Sequence, residues 1–280
     1  MQQIHWFPGH MKKAQNDIQD KIKIVDLVIE LLDARIPLSS RNPKLYKLSE
    51  NKNRLVVLTK NDLADPVITN KWIEYFKSSG FEAIFADLNK DNEIKKIIKQ
   101  AEKLGENRNA KLVAKGMKPQ PIRAMIIGIP NVGKSTLINK LAKRNAASVQ
   151  NKPGHTKSQQ WIKVSDKFEL LDTPGILPSN YDDKKTALNL ALVGSINDEI
   201  LPIEEIANYA LEYLKSNYPN NLKKRFEYFD LNLSNEETFA LIARRRGYFV
   251  KDGLDLYKTQ KVFLNELKNG ILGQISFETI

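Results

Sequence analysis

A chain of 280 residues that is 41% hydrophobic and 28% charged can bury a sizeable core, and it reads as a soluble globular protein with a larger and a smaller domain. Its formal net charge of +11 fits either a polyanionic partner or a merely solvated Lys-rich surface, and zero cysteines exclude disulfides and thiolate metal sites. The start, Met1-Gln2-Gln3-Ile4-His5-Trp6, holds no apolar secretory core, and the most apolar stretch, Val25 to Leu32, is broken by Asp26 and Glu30. The expectation is an unprocessed cytoplasmic protein with no membrane partner.

Apolar runs at Ile24–Leu32, Leu55–Leu58 and Ala83–Ala86 read as strands. Trp72, Ile73 and Phe76, then Ile94, Ile97, Ile98, Ala101 and Leu104, recur at helical spacing. The polar stretch Gly105–Pro121 reads as a connector. A strand at Ile122–Ile127, a Gly-rich turn and a helix from about Lys134 to Ala142 follow. Trp161–Val164 and Phe168–Leu171 form a strand pair, and from about Ser179 the strand signals fade. Ile203–Leu214, Glu236–Arg246 and Leu256–Leu267 have helical spacing. Alternating strands and helices predict an α/β domain with a mostly parallel sheet over residues 1–178 and an all-helical domain over 179–280.

Gly128-Ile129-Pro130-Asn131-Val132-Gly133-Lys134-Ser135, between that strand and that helix, is a P-loop. Gly128 and Gly133 allow backbone N–H groups to converge on phosphate oxygens, and the helix N-terminus points positive charge at them. Lys134 would contact the β and γ phosphates and Ser135 would hold Mg²⁺; Asn131, Val132, Gly133 and Thr136 complete the nucleotide-binding set. Asp172, after the apolar strand Phe168–Leu171, would reach Mg²⁺ through water, and the Gly175 N–H would meet the γ phosphate. Thr156 lies between these motifs and is the second candidate Mg²⁺ ligand.

Base choice is assigned to Thr59-Lys60-Asn61-Asp62. The Asp62 carboxylate can accept from guanine N1–H and the exocyclic amine, a pair that adenine does not offer, while the Lys60 stem lies along the base. Thr59 stands where Asn is usual and brings no amide. A base-capping loop is expected near Ala86-Asp87-Leu88. The base-reading segment precedes the P-loop, whereas in an ordinary GTPase it comes last, and this order suggests circular permutation.

Ile176 follows Gly175, where many GTPases carry a glutamine that orients the attacking water. Isoleucine has no hydrogen bond to give, so another group must act. His10 could approach the γ phosphate from the N-terminal segment, or it could pack or bind RNA. Asn131 could help to place K⁺ where other GTPases use an arginine finger.

Trp6-Phe7-Pro8-Gly9-His10-Met11, Asp33-Ala34-Arg35-Ile36-Pro37 with Ser40-Arg41-Asn42-Pro43, Gly128–Thr136, Pro153-Gly154-His155-Thr156 and Asp172-Thr173-Pro174-Gly175-Ile176 occur in this order. Together they resemble the circularly permuted GTPases of the YlqF/YawG group. The resemblance is specific over residues 1–178 and diffuse beyond. It implies a permuted P-loop GTPase domain, GTP hydrolysis to GDP stimulated by the large (50S) ribosomal subunit, and dependence on Mg²⁺ and often K⁺. It also implies a helical C-terminal domain on ribosomal RNA, a hydrophobic replacement of the catalytic glutamine (here Ile176) and a role for the N-terminal histidine, here His10. The expected partner is a large-subunit precursor and its rRNA, not DNA, met by a monomer.

The clusters Lys223, Lys224, Arg225 and Arg244, Arg245, Arg246 are either RNA contacts or solvated helix faces. Two functions stay open: a switch GTPase of ribosome assembly, or an RNA-binding assembly protein in which nucleotide is a structural ligand. An ATPase would make Asp62 incidental. Only a short stretch separates Gly175 from the helical region, so movement of Asp172–Ile176 is expected to pass directly into it.

Overall fold

In the computed structural model, which describes residues 18–146, 161–171, 183–196 and 201–280, seven consecutive buried residues form strand β1, Leu27–Asp33. Such a run, apolar except for Glu30 and Asp33, suits a strand covered on both faces. On one side β1 pairs in parallel with β2 (Asn53–Thr59), and on the other with β4 (Ile122–Ile127). β3 (Glu82–Ala86) lies beyond β2, β6 (Phe168–Leu171) lies beyond β4, and β5 (Trp161–Ser165) closes the sheet as its one antiparallel edge. The order is β3-β2-β1-β4-β6-β5. The first three strands and the later three thus occupy opposite halves of the sheet, joined at the β1–β4 seam. Register pairs Asp33 with Thr59 and Thr59 with Ala86, which sets the strands' carboxyl ends level.

Glu30 is buried in β1, and two arginines meet its charge. Arg41 approaches at 3.0 Å and Arg54 at 3.1 Å, with both guanidinium groups over the Tyr46 ring. Arg41, part of the Ser40–Pro43 motif, is therefore structural. The next residue, Asn42, caps helix α1 (Pro43–Leu48) by accepting from the Lys44 and Leu45 N–H groups, with Pro43 in the first turn. Asp65 caps α2 (Pro66–Ser78) in the same way, and Trp72, Ile73 and Phe76 are buried on one face as their spacing predicts.

Helix α3 runs Asp91–Ala114, so the predicted connector shrinks to residues 115–121. Gly105 is inside the helix, at a point where a Cβ would collide with the Ile122 side chain. The polar residues beyond it give no apolar period, and that is why they read as loop. Helix α4, Lys134–Ala146, also extends past its expected end.

The C-terminal region holds α5 (Lys184–Leu192), α6 (Ile203–Asn217), α7 (Pro219–Arg225), α8 (Asn235–Arg246) and α9 (Leu256–Lys268). A reciprocal Ser234–Glu237 capping box opens α8, and Gly247 ends it at φ 67°. The region is not purely helical: β7 (Phe249–Val250) and β8 (Gly253–Leu254) form a small hairpin. Phe239 and Phe263 meet edge to face at 5.4 Å between α8 and α9. One apolar cluster continues from the sheet residues Leu27 and Ile29 into Leu211 and Phe263, so the helical region shares its core with the sheet.

The last residues return to the first half of the chain. Ile275 N–H donates to the Leu63 carbonyl at 2.9 Å, Phe277 N–H to that of Arg35 at 2.8 Å, and Trp72 Nε1 to that of Glu278 at 3.1 Å. The Glu278 carboxylate accepts from the Leu38 and Ser39 N–H groups and from the Ser39 hydroxyl. Residues 274–278 form a strap across the loops that follow β1 and β2.

Candidate nucleotide-binding site

The carboxyl ends of β2, β3 and β4 open into a cleft of about 270 Å³ lined by Thr59, Lys60, Asp62, Leu63, Asp87, Leu88, Asn89, Asn131, Val132, Gly133 and Thr136. A crevice at strand ends is where open parallel sheets bind ligands. Seven of the residues predicted from the sequence thus converge from two distant segments. The loop after β3 also arrives, at the position expected for a base cap, and Lys140 on α4 ties it down by donating to the Asn89 carbonyl at 2.8 Å.

The P-loop is shaped by backbone demands. Gly128 has φ 155°, and a Cβ there would stand 2.7 Å from the Leu31 carbonyl oxygen. At Asn131, φ is 60°, a left-handed conformation that Asn tolerates better than most residues. Lys134 is buried at the start of α4, and its ammonium donates to the Ile129 carbonyl of its own loop. Burial pushes its pKa down to about 8. Ser135 and Thr136 are exposed in the first turn of α4.

Thr59 lacks the usual amide yet still reaches the P-loop. Its buried hydroxyl lies 2.8 Å from the Val132 carbonyl and 3.1 Å from that of Leu32, and its single hydrogen serves one of them. Lys60 has φ 55°, and its ammonium pairs with the Asp33 carboxylate at 3.2 Å. Asp62 is exposed at the cleft, and its carbonyl accepts from Gln274 of the strap at 3.2 Å. Asp33 itself is fully buried. Burial works against its charge, but the Arg35 charge and hydrogen bonds, with Lys60, outweigh that and hold its pKa below the ordinary carboxylate value.

Asn131 Nδ2 donates to the Gly194 carbonyl at 2.8 Å, a link from the P-loop to the segment after α5. This contact and the Asp33–Lys60 pair escaped the sequence reading. The Asp33–Pro37 motif was visible, but its partners lie far along the chain. His10, Thr156, Asp172, Gly175 and Ile176 lie outside the described residues, and among the described residues no group of three or more His, Cys, Asp or Glu could hold a metal. Ser135, next in sequence to the cleft residue Thr136, offers an exposed oxygen ligand, which fits a hard cation that takes few protein ligands and several phosphate or water oxygens.

The basic clusters separate into two kinds of residue. Arg225 and Arg246 converge on Glu266, each as close as 2.7 Å, and so are engaged within the fold. Burial opposes the Glu266 charge, but the hydrogen bonds from Arg225 and Arg246 overcome it and lower its pKa. Lys223, Lys224, Arg244 and Arg245 are exposed, with Arg245 over the Tyr228 ring. As a surface set the six narrow to four.

A profile described as 50S ribosome-binding GTPase matches residues 123–229. Ribosome biogenesis GTPase A of Bacillus cereus is 47% identical over 99% of this chain and 94% of its own. Its namesake from Thermotoga maritima is 34% identical over 98% of this chain and 94% of its own. Among solved structures, a GNP-bound YlqF from T. maritima is similar, with a TM-score of 0.66 and 29% identity, covering 95% of this chain and 98% of that one. A GDP-bound YlqF gives a TM-score of 0.67 at 28% identity, over 94% of this chain and 98% of that one. The base-reading segment set ahead of the P-loop, the cleft they share and these near full-length likenesses have one reading: the chain belongs to the ribosome biogenesis GTPase A family.

Proposed function

We propose that this protein is a GTPase that binds a precursor of the large ribosomal subunit in its GTP form and leaves after hydrolysis. The observation that carries the reading is the convergence of Lys60 and Asp62 with the P-loop in one cleft, in a chain of this family. Asp62 selects guanine, and Lys134 with the N–H groups of residues 131–136 takes the phosphates. Ser135, with Thr156 and Asp172, would hold Mg²⁺, which neutralises charge developing on the β and γ phosphates. The Gly194 contact turns the Asn131 Nδ2 away and leaves Oδ1 as that amide's oxygen, a ligand suited to K⁺. His10 is our candidate for orienting water, since Ile176 cannot.

Residues 179–280 form the ribosome-facing part, with Lys223, Lys224, Arg244 and Arg245 as the rRNA contacts. No helix among the described residues is long and apolar enough to cross a membrane. We place the protein in the cytoplasm as a monomer. The test is GTP hydrolysis with and without large subunits, in K⁺ and in Na⁺. A slow basal rate that rises at least tenfold with large subunits is expected, and more so in K⁺. Equal rates with and without subunits would favour nucleotide as a passive structural ligand instead.

A further inference from the structure

Asp33 is a fully buried carboxylate that phosphate chemistry does not use, yet it stands at the junction of three elements. It ends β1, level with Thr59 at the end of β2. Arg35 grips it through Nε at 2.9 Å and Nη2 at 2.8 Å, while Arg35 Nη1 donates to the Lys268 carbonyl, at the end of α9, at 3.3 Å. The Ser40 hydroxyl accepts from the Asp33 N–H at 3.0 Å and fixes the backbone. Oδ2, which takes the Arg35 Nη2, is shared with Lys60, whose ammonium is 3.2 Å away. Lys60 is about three-quarters shielded from solvent and starts from a left-handed backbone that few side chains adopt. Anchoring the charge at the far end of a flexible four-carbon stem restricts the paths it can take, and here the stem borders the cleft.

We propose that Asp33 is a positioning residue for guanine recognition: by pinning the Lys60 ammonium it lays the Lys60 stem along the base. Arg35 holds Asp33 in place and makes that setting depend on the end of α9. The inference rests on the cleft being a guanine-nucleotide site. Asp33 is buried and does not line the cleft, so it acts only through Lys60.

The experiment is a double-mutant cycle on GDP affinity with Asp33→Asn and Lys60→Met, in which the methionine keeps the length of the stem but not its charge. Each single change is expected to weaken GDP about 10-fold, as for loss of one charge-assisted hydrogen bond, and the double variant should be no weaker than either. Inorganic pyrophosphate, which has no base, should bind all four proteins alike, whereas general damage to the fold would weaken it too. Losses that multiply, or a Lys60→Met protein that binds GDP as the parent does, would overturn the proposal. The second outcome can be read even if Asp33→Asn does not fold. Asp62→Asn is the control for the site itself and should trade GDP for xanthosine diphosphate. If that exchange fails, the guanine reading fails; if it succeeds while the cycle is additive, only the positioning role is lost.

Discussion

Lys134 shows how burial tunes one residue before any ligand arrives. Its pKa of about 8, against 10.5 for an exposed lysine, means that the folded protein holds fewer protons than the unfolded chain between those values. Stability from this group therefore rises with pH from about 8 to 10.5, and below 8 the fold bears the full cost of the buried ammonium. Phosphate needs the charged form. GDP affinity should accordingly fall as pH rises above 8, and binding near pH 8 should take up a proton, measured by calorimetry in buffers of different ionisation enthalpy. Binding with no proton exchange would contradict the assignment. Lys134, Asp62 and Thr59 could be picked out in the sequence because motifs of a few residues mark them, but the Thr59 contacts with Val132 and Leu32 could not. The Asp33 motif was visible too, but its pairing with Lys60 was not, because Lys60 follows a different strand.

At the scale of elements, sequence periodicity located the six strands of the main sheet and the helices with apolar faces, and it failed where packing replaced periodicity. Helix α3 continues through Gly105, whose bare Cα allows a close contact with Ile122 that no local pattern announces. The α7 and α8 arginines were equally opaque. Runs of Lys and Arg look alike in sequence, and only Glu266, on α9, separates Arg225 and Arg246 from their exposed neighbours. Arg225→Ala should therefore lower stability by about 1 kcal/mol, a small figure because the pair is partly exposed. Lys224→Ala should leave stability unchanged and weaken the rRNA binding that we propose, reducing its salt slope by about 1. Urea unfolding and binding measured over a salt series distinguish the two; equal stability loss in both variants would count against the division.

At the scale of the molecule, the strap closes the chain on itself. Phe277 is buried beside the tilted ring of Tyr213 at 5.1 Å, while its neighbours Ser276 and Glu278 bind the loops after β2 and β1. Phe277→Ala should cost about 3 kcal/mol and speed amide exchange at Leu38, Ser39 and Asp65, far from the substituted side chain's own helical contacts. Faster exchange confined to the helical region would show that the strap does not hold the loops. The overall α/β class and the permuted motif order could be read from the sequence. The strap could not, since Gln274–Glu278 carries neither periodicity nor a recognisable motif.

The Asn131–Gly194 hydrogen bond gives this architecture a thermodynamic obligation. A residue that lines the phosphate turn is held by a carbonyl of the half that we propose faces the ribosome, so on that reading the two ligands share one part. Whatever factor GTP contributes to docking on the particle, the particle must return to GTP affinity in full, because free energies around a closed cycle sum to zero. A particle that prefers the GTP form is then, of necessity, a particle that slows the escape of GTP or hastens its capture. Asn131→Ala should shrink both factors together, and by the same amount.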